Sequence, residues 1–213
     1  MVDDATPNGP ALVLASASPR RVELLGRLLG PGGFTVVAAD VDEAPGRAEP
    51  PHELVTRLAG AKARAVAAAR DGAVVVAADT VVDLDGEVLG KPLDEREAVR
   101  FLRRLAGRTH LVHTGVAVHL FRRDADGGHR RVVAWVETAE VTFGVLGTRE
   151  IEAYVATGEP LDKAGAYGIQ GGAGAFVTDL QGDMDTVIGL PLDRLGQELR
   201  RLGVSVERRG GPS

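Results

Sequence analysis

The chain contains no cysteine. Disulfide staples, thiolate metal sites and cysteine redox chemistry are thereby excluded, and no oxidising compartment is required. Aromatic residues make up only 4% of the sequence, too few for a platform that stacks the bases of a single strand. Positive charge is not in excess. Thirty Asp and Glu against 25 Lys and Arg leave a formal net charge of −5, which argues against a nucleic-acid polymer as partner. Long apolar runs are also missing. Ala73–Ala78 is far too short to span a bilayer, and the acidic, polar stretch Met1–Pro10 does not read as a signal peptide. The expectation is therefore no membrane partner and a cytoplasmic location. No Walker A, G-x-S-x-G or G-x-G-x-x-G pattern occurs, which weakens P-loop, serine-hydrolase and dinucleotide-binding readings. The histidines His52, His110, His113, His119 and His129 lack the spacing of a zinc site.

What is present is an alternation of strand and helix signals over one domain, residues 11–205, between loose tails at 1–10 and 206–213. Ala11–Ala15 and Phe34–Ala38 read as strands. Ser18-Pro19 opens a helix, with Ser as N-cap and Pro at the first helical position. Pro51–Arg70 is a long helix with an apolar stripe at Leu54, Leu58 and Val66. Ala73–Ala78 reads as a buried strand ending at Asp79. Asp85-Gly86 marks a hairpin between Val81–Leu84 and Glu87–Leu89. Asp94 with Glu97 is a capping box for a helix to Leu105. Strands Leu111–Phe121 and Val132–Phe143 follow, joined by a polar loop at Asp124–His129. A helix capped by Thr148 runs to Gly158, and a glycine-rich loop, Gly165–Gly174, leads into a strand at Phe176–Leu180. Val187-Ile188 reads as a last short strand, and Pro191 starts the C-terminal helix. A hairpin and meander strands among βα units predict an α/β domain with a partly antiparallel sheet.

Several positions carry chemistry. Leu14–Arg21 passes from strand to helix through small residues, so a ligand can approach unpaired helix N–H groups. Arg20 and Arg21 lie in that first turn, where cations oppose the helix dipole. Either they are solvated or they serve an anion. Lys62 falls in the apolar stripe of its own helix. Either its head snorkels to water or it meets a buried carboxylate. Asp79, at a strand end, either caps a turn or binds a metal or a water proton. Lys91-Pro92 ends the hairpin that begins beside Asp79, and Asp42-Glu43 can supply a second carboxylate. Asp162–Gly171 mixes glycines with Lys163, Tyr167 and Gln170, and Gln can read a donor and an acceptor on a base edge.

Taken together these segments resemble the Maf family of nucleoside triphosphate pyrophosphatases. The carriers are Ala15–Arg21 with Glu23-Leu24-Leu25, Val41-Asp42-Glu43, Arg57-Leu58-Ala59 with Lys62-Ala63, Ala78–Val82, Leu89–Pro92, Leu161–Gly171 and Val187–Pro191. The resemblance implies an elongated, inosine-triphosphatase-like α/β fold. Its central mixed sheet is flanked by helices, and a cleft separates two lobes. It implies cleavage of nucleoside triphosphates between the α and β phosphates, with a divalent cation, Mg2+ or Mn2+, as cofactor. By resemblance Asp79 is the general base, with Glu43 a further acidic residue and both tentative metal ligands. Ser16, Arg20, Arg21, Lys62 and Lys91 form the phosphate cluster. Arg20, Thr80 and Gln170 match members that prefer dTTP and UTP. Asp183-Met184-Asp185 departs from the family pattern. The resemblance also allows a homodimer. A second reading is a nucleotide-binding regulator of cell division with little turnover.

Overall fold

The computed structural model describes residues 10–206, apart from 31, 45, 47, 48 and 123–128. Most of both expected tails and of the Asp124–His129 loop thus lie outside the described residues. Among the described residues, seven strands form one open mixed sheet: β1 (Leu12–Leu14), β2 (Thr35–Val36), β3 (Val74–Leu84), β4 (Glu87–Leu89), β5 (Thr109–Arg122), β6 (His129–Phe143) and β7 (Val177–Gln181). Six α-helices of the described residues flank it: α1 (Pro19–Leu29), α2 (Pro51–Ala67), α3 (Glu95–Leu105), α4 (Thr148–Val155), α5 (Met184–Ile188) and α6 (Leu192–Arg201). The strand order is β2-β1-β3-β5-β6-β7, with β4 also paired to β3. β1 runs parallel to β2 and β3, and the other pairings are antiparallel.

β3 organises the molecule. β5 pairs with it continuously from Val74 to Asp83 along one edge. The opposite edge is shared by β1 at Val74–Val76 and β4 at Val82–Leu84. Between them lies a notch in the sheet beside Ala77–Val81. Alternation sends Val75, Ala77 and Val81 to the face covered by α2, against Ala59, Ala63, Val66, Leu54 and Leu58. Val74, Val76 and Ala78 face the other way, onto Leu24, Leu25 and Leu28 of α1 and Leu192, Leu195 and Leu199 of α6. Further along the same face, Val82 and Leu84 join a second core with α3 and α4. Ile169 packs against both of these cores.

Three expectations require correction. Asp79 does not end a strand. It sits inside β3, because β5 satisfies the backbone throughout and the polar side chains at 79 and 80 find partners on opposite faces. Val187-Ile188 is the end of α5 rather than a strand. Asp183 caps that helix, accepting from Asp185 N at 3.2 Å, and Gly189 ends it at φ +124°. Thr148 is the first helical residue and not the cap. The cap position is Gly147, whose N–H donates to Glu150 Oε2 at 3.3 Å. The hairpin signal is realised with positive φ at both Asp85 and Gly86. The capping box is realised in a shifted form: Asp94 accepts from Glu97 N, while Glu97 accepts from Leu93 N.

The second core contains a buried titrating group. His110 packs edge-on against Phe143 and Tyr167, with Nε2 2.8 Å from Tyr167 Oη. Burial pushes its pKa down from 6.5 to about 4. The folded state therefore holds His110 neutral, whereas the unfolded chain takes up a proton once pH drops below 6.5. Stability from this group is complete above 6.5 and is lost as pH falls to about 4, a change of about 3 kcal/mol. Urea unfolding across that window should show the loss, and His110→Gln should flatten it. An unchanged pH slope in the variant would assign the acid sensitivity elsewhere.

Candidate active site

Two hydrogen-bonded groups meet at the notch in β3, one from each face of the sheet. On the α2 face, Lys62 Nζ lies 2.6 Å from Asp79 Oδ1 and 2.5 Å from Glu43 Oε1. The Lys62 side chain is only 10% exposed, so the helical stripe that contains it ends in an ion pair rather than a snorkel. α2 can lie this close because β5 presents Gly115 opposite Asp79. A Cβ at Gly115 would stand 2.4 Å from the backbone of Val55. Partial burial alone would raise the Glu43 carboxyl. The hydrogen bond and charge of Lys62, with the charges of Lys91 and Arg21, outweigh it and hold Glu43 below its ordinary value.

On the other face, Arg21 donates through Nε to Gly189 O at 2.9 Å and through Nη2 to Thr80 Oγ1 at 3.0 Å. Its Nη1 lies 3.5 Å from Ser16 Oγ. Thr80 Oγ1 is 2.9 Å from Thr114 Oγ1, and Thr114 donates to Thr186 O at 2.7 Å. Thr114 thus spends its proton on Thr186, so Thr80 must donate to Thr114 and accept from Arg21. The chain is directed and fixes the guanidinium. Burial lowers the pKa of Arg21 from its ordinary value, opposed by the charge of Asp79 and assisted by that of Arg20. The Arg21 guanidinium is half-buried and spends its hydrogen bonds on neutral oxygens, an arrangement that an incoming anion would complete.

Helix α1 supplies the rest of this wall. Pro19 starts it, and the Ser18 N–H donates to Ser16 Oγ at 3.1 Å. Ser16 accepts there, leaving its own O–H to donate. Arg20 reaches Asp162 Oδ2 at 3.3 Å. The opposite wall is the exit of β4: Gly90 O accepts from Gly165 N at 3.0 Å, and exposed Lys91 follows within charge range of Glu43.

The structure therefore gathers Ser16, Arg21 and Thr80 in one hydrogen-bonded group, and Glu43, Lys62 and Asp79 in a second. Arg20 pairs with Asp162 outside both groups and reaches them only through its charge on Arg21, as Lys91 does through its charge on Glu43. Gln170 is exposed on the glycine-rich turn next to Ile169. The sequence reading missed Thr114 and Gly189. The Thr114-Gly115 interruption in an apolar strand was the available signal, since Gly inside a strand marks close backbone approach. The Asp183–Asp185 departure builds α5, which presents Thr186 O and Gly189 O to the site. Asp185 is buried and meets Arg27 at 3.4 Å.

A divalent cation suits these residues in a limited way. Asp79 and Glu43 converge on one point and each gives one oxygen to Lys62, which leaves Asp79 Oδ2 and Glu43 Oε2 as hard donors. No group of three or more His, Asp or Glu able to hold a metal occurs among the described residues. The set fits an ion that takes most of its shell from phosphate oxygens and water, as Mg2+ does. No helix among the described residues is long and apolar enough to cross a membrane.

Comparison with known proteins bears on the same segments. A dTTP/UTP pyrophosphatase of Symbiobacterium thermophilum is 51% identical over 195 residues, covering 92% of this chain and 95% of that protein. One from Anaeromyxobacter dehalogenans is 53% identical over 195 residues, covering 91% and 95%. One from Geobacter sulfurreducens is 48% identical over 192 residues, covering 90% and 96%. The family model described as Maf-like protein matches residues 11–202, a span that includes every residue of both walls of the notch, and the chain belongs to the Maf family.

Proposed function

We propose that this protein hydrolyses nucleoside triphosphates, with dTTP and UTP preferred, to the monophosphate and pyrophosphate, and that one domain over residues 11–205 carries the activity. The observation that carries the reading is the notch itself. A buried carboxylate, Asp79, faces it from one side of the sheet, and a half-buried guanidinium fixed by neutral oxygens, Arg21, faces it from the other. The names of relatives about half identical in sequence support the substrate class.

The chemistry follows from the placement. Arg21, Ser16 and the first N–H groups of α1 bind phosphate oxygens, with Arg20 and Lys91 at the rim. This local cluster lets a net acidic protein hold a polyanion. Asp79 accepts a proton from a water that attacks the α-phosphorus. A phosphorus–oxygen bond forms with that water, and the bond to the bridging oxygen breaks as pyrophosphate leaves. Lys62 keeps Asp79 oriented by its 2.6 Å contact and offsets charge between the carboxylates. A divalent cation held through Asp79 and Glu43 would supply Lewis-acid polarisation and a lowered water pKa. Gln170 offers an amide that pairs with a 4-keto oxygen and ring N–H together. Leaving such a pair unmade costs about 1–3 kcal/mol, roughly five- to 150-fold in kcat/KM.

Purified protein given UTP or dTTP should release monophosphate and pyrophosphate in one step, and EDTA should abolish the activity. UTP should be turned over with a higher kcat/KM than ATP. Orthophosphate with a diphosphate product would rule out attack at the α-phosphorus. Full activity in EDTA would remove the metal from the scheme.

A further inference from the structure

The turn that carries Gln170 is held by a carboxylate that the phosphate chemistry does not use. Glu159 Oε2 accepts from Gly172 N at 3.1 Å. Its Oε1 accepts from Tyr154 Oη at 3.0 Å, and Tyr154 Oη in turn accepts from Gly168 N at 3.1 Å. One end of the segment 168–172 is thus tied to Glu159 directly and the other through the Tyr154 hydroxyl, and Gly171 N closes the turn on Gly168 O at 3.0 Å. Ile169 is anchored between two cores, which leaves Gln170 exposed near the tip. The backbone lies against the carboxylate: a Cβ at Gly171 would stand 2.0 Å from Glu159 Oε1.

The same residue reaches the phosphate wall. Glu159 O accepts from Lys163 Nζ at 2.7 Å, and Lys163 Nζ donates to Asp162 Oδ1 at 2.6 Å. Asp162 Oδ2 accepts from Arg20 at 3.3 Å. One continuous network therefore joins the Gln170 turn to Arg20.

We infer that Glu159, acting with Tyr154, is a specificity-determining positioning residue that sets the Gln170 amide against the base. This inference rests on the reading that Gln170 contacts the base. A Gln at 159 has a single terminal acceptor. If that oxygen accepts from Gly172 N, the amide can meet Tyr154 Oη only as a donor, which reverses that bond and leaves the Tyr154 hydroxyl proton without its acceptor, so one end of the latch is weakened. An amide held loosely loses its pairing with the 4-keto pyrimidine edge, while substrates that do not use the pairing lose nothing.

The test is the ratio of kcat/KM for UTP over ATP in Glu159→Gln, Tyr154→Phe, Gln170→Ala and the double variant Glu159→Gln/Gln170→Ala. Both Glu159→Gln and Tyr154→Phe should lower the ratio about ten-fold, the scale of a displaced contact group, with ATP turnover nearly unchanged. In the Gln170→Ala background, Glu159→Gln should change the ratio no further. Tyr154→Phe keeps the ring packed and carries the test if Glu159→Gln melts early. A ratio that collapses in Gln170→Ala but stays at the wild-type value in both latch variants overturns the positioning role alone. An equal fall for UTP and ATP in the latch variants also overturns it, because it marks a general structural effect. A wild-type ratio in Gln170→Ala overturns the base-reading role, and the inference with it.

Discussion

Asp79→Asn should lower turnover by about 10²–10⁴, the size of a general-base contribution, with a further loss from weaker hold on the cation, while leaving metal-free nucleotide affinity intact or tighter. The substitution is isosteric, and Asn can still accept from Lys62 through its oxygen, so the 2.6 Å contact has a successor. The backbone at 79 remains paired with Gly115 in β5, and α2 stays seated on the sheet. What is lost is the capacity to take a proton from water, together with one negative charge beside the phosphates. The first loss falls on the chemical step. The second removes a repulsion that opposes binding in the wild type. Steady-state kinetics with UTP, set beside calorimetric titration with a non-hydrolysable UTP analogue, separates the two. Near wild-type turnover would show that Asp79 is not the base, and Glu43, bonded to the same ammonium, would become the leading candidate.

Why the sequence located Asp79 but misplaced it is instructive. The apolar run Ala73–Ala78 ends where polar residues begin, so pattern alone stops the strand there. The ladder with β5 carries it five paired positions further, from Asp79 to Asp83, because the polar side chains that follow have partners supplied from elsewhere. Lys62 comes from a helix 17 residues earlier, and Thr114 from a strand 34 residues later. Such long-range satisfaction leaves no local trace. The helices were more legible, since their caps are local chemistry: Pro19 and the Asp94–Glu97 pair can be read from spacing. The Lys62 position was legible as an anomaly in a stripe, though not its resolution into an ion pair. α5 reads as a strand from sequence because three of its five residues, Thr186, Val187 and Ile188, are β-branched, and a helix that short is defined by its Asp183 cap and Gly189 stop rather than by periodicity. Glu159 gave no signal at all. It works by accepting from backbone N–H groups of glycines, whose folded path the sequence does not spell out.

Lys62→Met is expected to differ from Asp79→Asn in kind. Met retains most of the stem that packs beside Leu58 and Val66, so the helix face keeps its volume. The ammonium between Asp79 and Glu43 disappears, and with it a charged donor at the reacting centre. Removing one such donor costs about 10²–10³ in kcat, and affinity for the UTP analogue should fall as well, because two carboxylates then face the phosphates with less cation between them. Glu43 adds a pH signature. In the wild type its carboxyl is held below the ordinary value because the bond and charge of Lys62, helped by Lys91 and Arg21, outweigh its partial burial. Without Lys62 the balance moves towards burial and Glu43 protonates at higher pH, so the acid limb of kcat/KM should move up. Stability should drop by about 1–3 kcal/mol, the usual cost of leaving a buried polar group unpaired, since the Asp79 side chain is only 12% exposed. The double variant Lys62→Met/Asp79→Asn should regain much of that stability in urea unfolding, having no orphaned charge in β3, yet remain inactive. If Lys62→Met alone binds the analogue and turns over UTP as the wild type does, the lysine only packs, and its contacts with Glu43 and Asp79 serve the fold rather than the phosphates.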